Sequence, residues 1–263
     1  MKSICLKAVF LTLVFVTIVS CSAQTETASP SRKLKLRILA TYPHDPHSFT
    51  QGLVYESGEL LESAGRYGQS SLRRVEIQTG KVTQIVPQDA KFFSEGITLV
   101  GGKIYQLTWQ EQICFVYDKK TFQLTKTFRY KGEGWGITWD GTRLIVSDGS
   151  SQLKFYNPET FQLQGTVVVR DGERTVGRLN ELEYVNGEVW ANVYETDYIV
   201  RINPKNGRVT GWIDGRGFVP KQFREIENRE QVLNGIAFDP EKQRVYITGK
   251  NWPVMYELQL SQE

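Results

Sequence analysis

Five segments of this chain repeat one short pattern, a polar or aromatic residue followed in most copies by glycine and then an alternating strand. They read QGLVYESGELLES from Gln51, EGITLVGGKIYQLTW from Glu95, WGITWDGTRLIVSDG from Trp135, ELEYVNGEVWANVY from Glu181 and NGIAFDPEKQRVYITGK from Asn234. Each contains a turn: Ser57-Gly58, Gly101-Gly102, Asp140-Gly141, Asn186-Gly187 or Asp239-Pro240. Asn-Gly and Asp-Gly between alternating runs are strong hairpin signals. Between these segments recurs a second unit of strand, turn and strand, as in LRRVEIQTGKVTQIV, CFVYDKKTFQLTKTF, LKFYNPETFQLQGTVVV and IVRINPKNGRVTGWI. Each repeat therefore holds about four short strands in roughly 40 to 50 residues, the size of a propeller blade. A plain β-sandwich does not predict five-fold repetition. The chain reads as an all-β, five-bladed β-propeller.

The phase of the repeat implies how the ring closes. In each blade the outermost strand precedes the next inner strand, as KVTQIV precedes FFSEG. LKLRILATY, residues 34–42, has no earlier blade to join, and the last segment, ending near Leu258, lacks an outer strand. The N-terminal strand is expected to complete the C-terminal blade. Leu34, Leu36 and Ile38 alternate with Lys35 and Arg37, as a strand with one buried face should.

Ahead of the propeller, Lys2 and Lys7 flank the start of an apolar run over residues 8–19 that is short for a membrane span. The run ends in Ile18-Val19-Ser20-Cys21, which resembles the lipobox of bacterial lipoproteins, where the cysteine is lipidated and becomes the mature N-terminus. A plain secretory signal cleaved near Ala23 is the alternative, and both imply export. The division expected is a signal peptide with lipobox over 1–21, a polar tether over 22–33 and a catalytic propeller over 34–263. A bacterial lipoprotein, facing the periplasm or cell exterior and touching membrane only through its lipid on Cys21, fits these features. Without Lys2 and Lys7 the 32 basic residues fall to 30 against 29 acidic, and no basic block stands out. Nucleic acid is an unsuitable partner for such a surface. Of three cysteines only Cys114 stays in the folded part, so no intramolecular disulfide is available and stability must come from burial.

The first strand of each blade lies beside the central channel. The repeat frame places Gln51, Glu95, Trp135, Glu181 and Asn234 in a ring there, four of the five polar. Trp109, Tyr194 and Lys250 each fall five residues after an aligned strand position, Ile104, Val189 and Val245, and form a second set. Such a collection of aromatics, amides, carboxylates and a lysine at one end of the channel suits a small-ligand pocket. Gly52, Gly96, Gly136 and Gly235 read as close packing rather than phosphate binding. Trp139, Trp190 and Trp212 read as inter-blade core. His44-Asp45-Pro46-His47 holds both histidines of the chain, but Pro46 breaks regular geometry and no third ligand is evident, so no metal is expected there.

Several of these stretches, FTQGL, SEGITL, GWGITWDG, LNELEYVNGEVWAN and NGIAFD with TGKNWP, resemble the plant and bacterial type of glutaminyl-peptide cyclotransferase, over nearly the whole propeller. That family is a five-bladed propeller. The resemblance implies conversion of N-terminal glutaminyl peptides to pyroglutamyl peptides with release of ammonia. The partners expected are peptides or proteins with N-terminal Gln, the protein is expected to be a monomer, and the reaction requires no cofactor and no metal. It places the catalytic carboxylate at Glu95 and a lysine at Lys250. Pocket residues fall on Phe49, Gln51, Trp109, Trp135 and Asn180. Tyr194 stands where the family has a further pocket tryptophan, a departure that keeps an aromatic face and adds a hydroxyl.

The residue types suit that chemistry. The α-amine must attack its own side-chain carboxamide, so holding the chain bent supplies much of the gain. Aromatic walls from Phe49, Trp109, Trp135 and Tyr194 can do so. An α-amine with a reference pKa of about 7.7 to 8.0 is mostly protonated at neutral pH and needs a base, a role open to Glu95. Lys250 or Asn180 can stabilise the oxyanion. Two other classes stay open on the sequence. A non-catalytic propeller binding peptides or sugars would share fold and pocket, although it need not keep both Glu95 and Lys250. A metal-dependent hydrolase or lactonase would want a channel cluster of histidines and carboxylates, whereas the ring offers two acids and no histidine.

Overall fold

The computed structural model describes residues 34–226 and 230–262; the expectations for 1–33, among them the signal segment, Cys21 and the tether, lie outside these. The N-terminal strand is β1 (Leu34–Pro43). Blade 1 is built from β2 (Thr50–Glu56), β3 (Glu59–Ala64), β4 (Ser71–Glu76) and β5 (Val82–Pro87). Blade 2 has β6 (Ser94–Val100), β7 (Lys103–Thr108), β8 (Ile113–Asp118) and β9 (Leu124–Arg129). Blade 3 has β10 (Ile137–Trp139), β11 (Leu144–Val146), β12 (Gln152–Tyr156) and β13 (Leu163–Val168), and a small hairpin follows it, β14 (Arg170–Asp171) with β15 (Arg174–Thr175). Blade 4 has β16 (Leu179–Val185), β17 (Glu188–Val193), β18 (Tyr198–Ile202) and β19 (Val209–Asp214). The last sheet runs β1-β22-β21-β20, with β20 (Leu233–Asp239), β21 (Arg244–Gly249) and β22 (Val254–Gln262). The fold is a five-bladed propeller, and the ring closes as the repeat phase implies.

Burial between blades holds the ring together. Five apolar clusters occupy the five interfaces between successive blades, for example Leu61, Leu72, Ile97 and Ile104 between blades 1 and 2. Another, Leu53, Leu60, Tyr246 and Met255, joins blade 5 back to blade 1. Cys114 is a free, buried thiol in the cluster between blades 2 and 3. Trp190 is buried in the core between blades 4 and 5, and Trp139 packs against the cluster between blades 2 and 3. Trp212 departs from its expected core place. It lies on the outermost strand of blade 4, 42% exposed, with its indole N–H donated to Asp171 of the small hairpin. An outer strand has no further strand beyond it to cover such a ring.

The closing strand shows a second departure. Leu36 packs against the core between blades 4 and 5, but Ile38 is exposed. The β1–β22 register slips between Ile38 and Ala40, and a bulge of one residue turns the following side chains to the other face. The segment after β1 is anchored by His44, which is buried. Its Nδ1 meets the Trp252 carbonyl at 2.6 Å and its Nε2 meets Glu62 at 3.0 Å. The same Glu62 oxygen accepts from the hydroxyls of Ser48 and Thr50. Burial works against both charges. The two groups nonetheless hold each other ionised, His44 above its ordinary value and Glu62 down at about 2. Both nitrogens of His44 are thus committed to latching the chain where blade 5 meets blade 1.

At the centre, the inner strands carry the glycines expected to pack closely. A Cβ on Gly52 would lie 2.5 Å from the Ile97 nitrogen, and one on Gly136 would lie 2.1 Å from the Asn180 carbonyl oxygen. Side chains there would wedge neighbouring blades apart. The pairing registers correct the ring in blade 4. Thr50, Ser94, Leu179 and Leu233 are each paired to the end of their blade's second strand, and a bulge follows each. The residues that come next are Gln51, Glu95, Asn180 and Asn234. Asn180, not Glu181, is therefore the ring residue of blade 4, and Glu181 stands where the other blades have glycine. Its buried carboxyl reaches across the centre, accepting the Leu53 N–H of blade 1 at 3.3 Å and the Ile236 N–H of blade 5 at 2.9 Å. Desolvation, and then neighbouring Glu183, push its pKa well above the carboxylate range.

Candidate active site

The bulges at the start of the inner strands re-aim ring side chains toward one end of the channel. Just beyond the second strands of blades 2, 4 and 5 come Trp109, Tyr194 and Lys250. The matching places in blades 1 and 3 are Gly65 and Gly149, where a Cβ would strike Phe93 at 2.5 Å and the Trp135 ring at 2.6 Å. Two bare positions thus make room for rings supplied by their neighbours. The result is a pocket of about 490 Å³ lined by Phe49, Gln51, Glu95, Trp109, Trp135, Asn180, Tyr194 and Lys250. The eight catalytic and pocket residues implied by the resemblance are brought to this one cavity, and all five blades contribute. Glu181 is not among them, and Asn234 stands behind Gln51.

Glu95 is 5% exposed. The Gln51 amide donates to its Oε1 at 3.1 Å, and Asn234 in turn donates to the Gln51 oxygen at 3.3 Å. That relay fixes which end of Gln51 faces Glu95. Desolvation raises the Glu95 pKa well above its usual range, the Lys250 charge opposes this, and Glu133 and Glu111 add to the rise. Lys250 is 2% exposed, with its Nζ 4.6 Å from the Phe49 ring centre and 4.7 Å from that of Tyr194. Burial lowers its pKa to about 8, against the pull of Glu95 and Glu230. A carboxyl shifted upward and an ammonium shifted downward in one pocket is a pattern found at sites that move protons.

The walls are aromatic and mutually braced. Trp135 meets Tyr194 edge-on at 5.5 Å, and Phe93 meets Trp109 at 5.7 Å and Tyr67 at 5.4 Å. Tyr194, the departure from the family pattern, still serves as a ring wall and as one of the two faces on Lys250. One carboxylate oxygen, Oε2 of Glu133, accepts both indole N–H groups, from Trp109 at 2.7 Å and from Trp135 at 2.9 Å. Sequence reasoning missed Glu133, although an acid two residues before the ring tryptophan in GEGWG was a signal within reach. It also missed Arg66, Tyr67, Gln69, Phe93 and Glu230, which complete the lining. Most of these sit on connections outside the repeat frame. Phe93, next to SEG, was open to notice as an aromatic flanking a ring acid.

Comparison with known proteins decides the lineage of this pocket. The family model described as glutamine cyclotransferase matches residues 11–260. The chain belongs to the glutamine cyclotransferase family. A relative named glutaminyl-peptide cyclotransferase, from Arabidopsis thaliana, is 43% identical over 234 residues, covering 87% of this chain and 72% of that protein. The crystal structure of Myxococcus xanthus glutaminyl cyclase superposes with a TM-score of 0.82 at 35% identity, over 89% of this chain and all of that one. The five-bladed ring of this chain is thus the architecture of its family.

Proposed function

We propose that this protein is a glutaminyl-peptide cyclotransferase that converts N-terminal glutaminyl peptides to pyroglutamyl peptides and releases ammonia. The observation that carries the reading is the buried Glu95, pushed up in pKa, facing Lys250, pushed down, inside an aromatic pocket fed by all five blades. In the reaction the α-amine nitrogen bonds to the side-chain carboxamide carbon, and the bond from that carbon to its nitrogen breaks. One proton leaves the attacking amine and one joins the departing nitrogen, so the protons balance within a single shuttle. Glu95 is assigned that shuttle. A neutral Glu95 carboxyl facing a free amine holds the same proton count as a carboxylate facing an ammonium, so either encounter leads into the reaction. Gln51 orients the carboxyl through its amide, and the indoles fixed by Glu133 hold the substrate's side chain folded toward its own amine. Lys250, with Asn180 beside the same cavity, is assigned to the oxyanion that forms as the amine adds. The test is ammonia release from a purified Gln-initiated dipeptide amide, and a wild-type protein that releases none would overturn the reading.

A second consequence concerns pH. The dependence of kcat/KM should be a bell whose limbs report the Glu95 carboxyl and the substrate amine. Lys250 counteracts the rise that burial, Glu133 and Glu111 impose on Glu95. Lys250→Met should therefore move the Glu95 limb to higher pH, besides lowering the maximum rate. A pH profile with both limbs unmoved would show that Lys250 does not act on Glu95.

Export and lipidation rest on the sequence of residues 1–21. We propose that Cys21 carries the lipid and tethers the enzyme on the periplasmic or outer side of a membrane, acting there as a monomer on peptides with N-terminal Gln. Expression in a bacterium with labelled palmitate should give a labelled protein in the membrane fraction. Cys21→Ser should be unlabelled. Equal labelling of both would sink the assignment of the anchor.

A further inference from the structure

We infer that Arg66 anchors the substrate, its guanidinium at the pocket rim donating hydrogen bonds to a main-chain carbonyl of the peptide whose N-terminal glutamine fills the site. The inference rests on the reaction proposed above and adds a binding residue to it. Three observations on one residue lead there.

The first is the backbone. Ten described residues other than glycine have positive φ, and nine of them lie between 49° and 61°, inside the small left-handed basin. Arg66 alone stands outside it, at 89°. Glycine would adopt this conformation freely, whereas a long side chain is strained in it. The surrounding loop enforces the geometry: the Gln69 N–H and the Ser70 hydroxyl both donate to the Arg66 carbonyl, at 3.0 and 2.8 Å.

The second is the side chain. The guanidinium lies over the Phe49 ring at 4.4 Å, the ring that Lys250 touches deeper in the pocket. Its Nη2 donates to Glu230 at 2.6 Å, while among the described residues Nε and Nη1 make no hydrogen bond. The Arg66 and Glu230 side chains are 39% and 63% exposed, so the pair is screened by water and contributes little to folding. It gives no reason to keep a strained arginine at this place.

The third is the chemistry left unanswered by the buried residues. Glu95, Gln51, Asn180 and Lys250, each no more than 5% exposed, face the reacting amine and carboxamide. What points to the mouth is the main-chain carbonyl of the glutaminyl residue, an oxygen that only accepts, with the rest of the peptide behind it. A planar guanidinium at the rim, with N–H donors unused among the described residues, matches that need, and a lysine point charge does so less well.

The experiment compares Arg66→Gly and Arg66→Lys with wild type, by melting curves and by kcat and KM for ammonia release from a Gln dipeptide amide. Arg66→Gly should melt at or above the wild-type temperature, since glycine relieves the strain. Its KM should rise roughly 10- to 100-fold, as loss of hydrogen bonds to a charged donor implies, with kcat within a few-fold. Arg66→Lys should fall between. An unchanged KM in Arg66→Gly overturns the inference. So does a lowered melting temperature with kcat reduced in both variants, the mark of a structural prop. Calorimetric titration of the same peptide, with and without Arg66→Gly in a Glu95→Gln background where the peptide persists, measures the anchor without turnover. A Kd weakened by the same factor supports it, and an equal Kd overturns it. Absence of ammonia from wild type would count against the reaction alone.

Discussion

Glu95→Gln is expected to lower turnover by about 100- to 10,000-fold, the range for removing a positioned acid–base group. The substitution keeps the size of the side chain and keeps an oxygen for the Gln51 amide, now 3.1 Å from Oε1. It removes only the site that takes a proton from the amine and gives it to the leaving nitrogen. Binding should suffer less, because the walls of Phe49, Trp109, Trp135 and Tyr194 are untouched. Stability gives an independent check with a definite sign. The folded-state pKa of Glu95 is raised, so wild type loses stability as pH rises from the ordinary carboxylate value through the raised one. The glutamine variant carries no such ionisation. Its melting temperature should equal or exceed that of wild type, with the difference widening as pH rises above the ordinary carboxylate range. Ammonia release within a few-fold of wild type, from a variant that melts normally, would show that Glu95 is not the shuttle.

How far the fold and the site are legible in the sequence follows the periodicity of the elements. Strands alternate with period two and blades recur every 40 to 54 residues, so five-fold repetition and closure by β1 are both visible there. Trp109, Tyr194 and Lys250 can be aligned because each follows a strand whose pattern is regular. The frame slips by one residue in blade 4 because Glu181 occupies the glycine position and imitates the polar ring residue one place earlier. Only the pairing of Leu179 with Val193 and Leu182 with Ala191 exposes the slip. Ile38 misleads for a related reason, since a bulge changes face without leaving a mark in composition. Arg66 and Glu133 lie on connections, where side-chain direction is set by loop geometry rather than by a period. Their roles emerge from an unusual φ and from two indoles sharing one oxygen.

Removing residues 34–43 should abolish the soluble, cooperatively folding ring. β1 is the whole outer strand of blade 5, paired along β22 from Leu34 with Gln262 to Pro43 with Val254. Without it β22 becomes a bare edge of nine residues, open to pairing with other chains. The loss also uncovers apolar surface. Leu36 leaves the core between blades 4 and 5, and Tyr42 leaves the cluster between blades 5 and 1 together with its 2.7 Å hydrogen bond to Glu257. Aggregation alone would be an ambiguous result, since many truncations aggregate. A permuted protein separates the explanations: the same ten residues moved behind Gln262 on a flexible linker long enough to reverse direction, with the chain starting at His44. If β1 acts by closing the ring, position along the chain is immaterial, and the permutant should recover solubility, a single melting transition and ammonia release. If the strand is instead needed where it stands, for instance to deliver the segment whose His44 is held by Glu62 and Trp252, the permutant should fail with the truncation. A truncated chain that stays soluble and melts like wild type would refute closure by β1 outright.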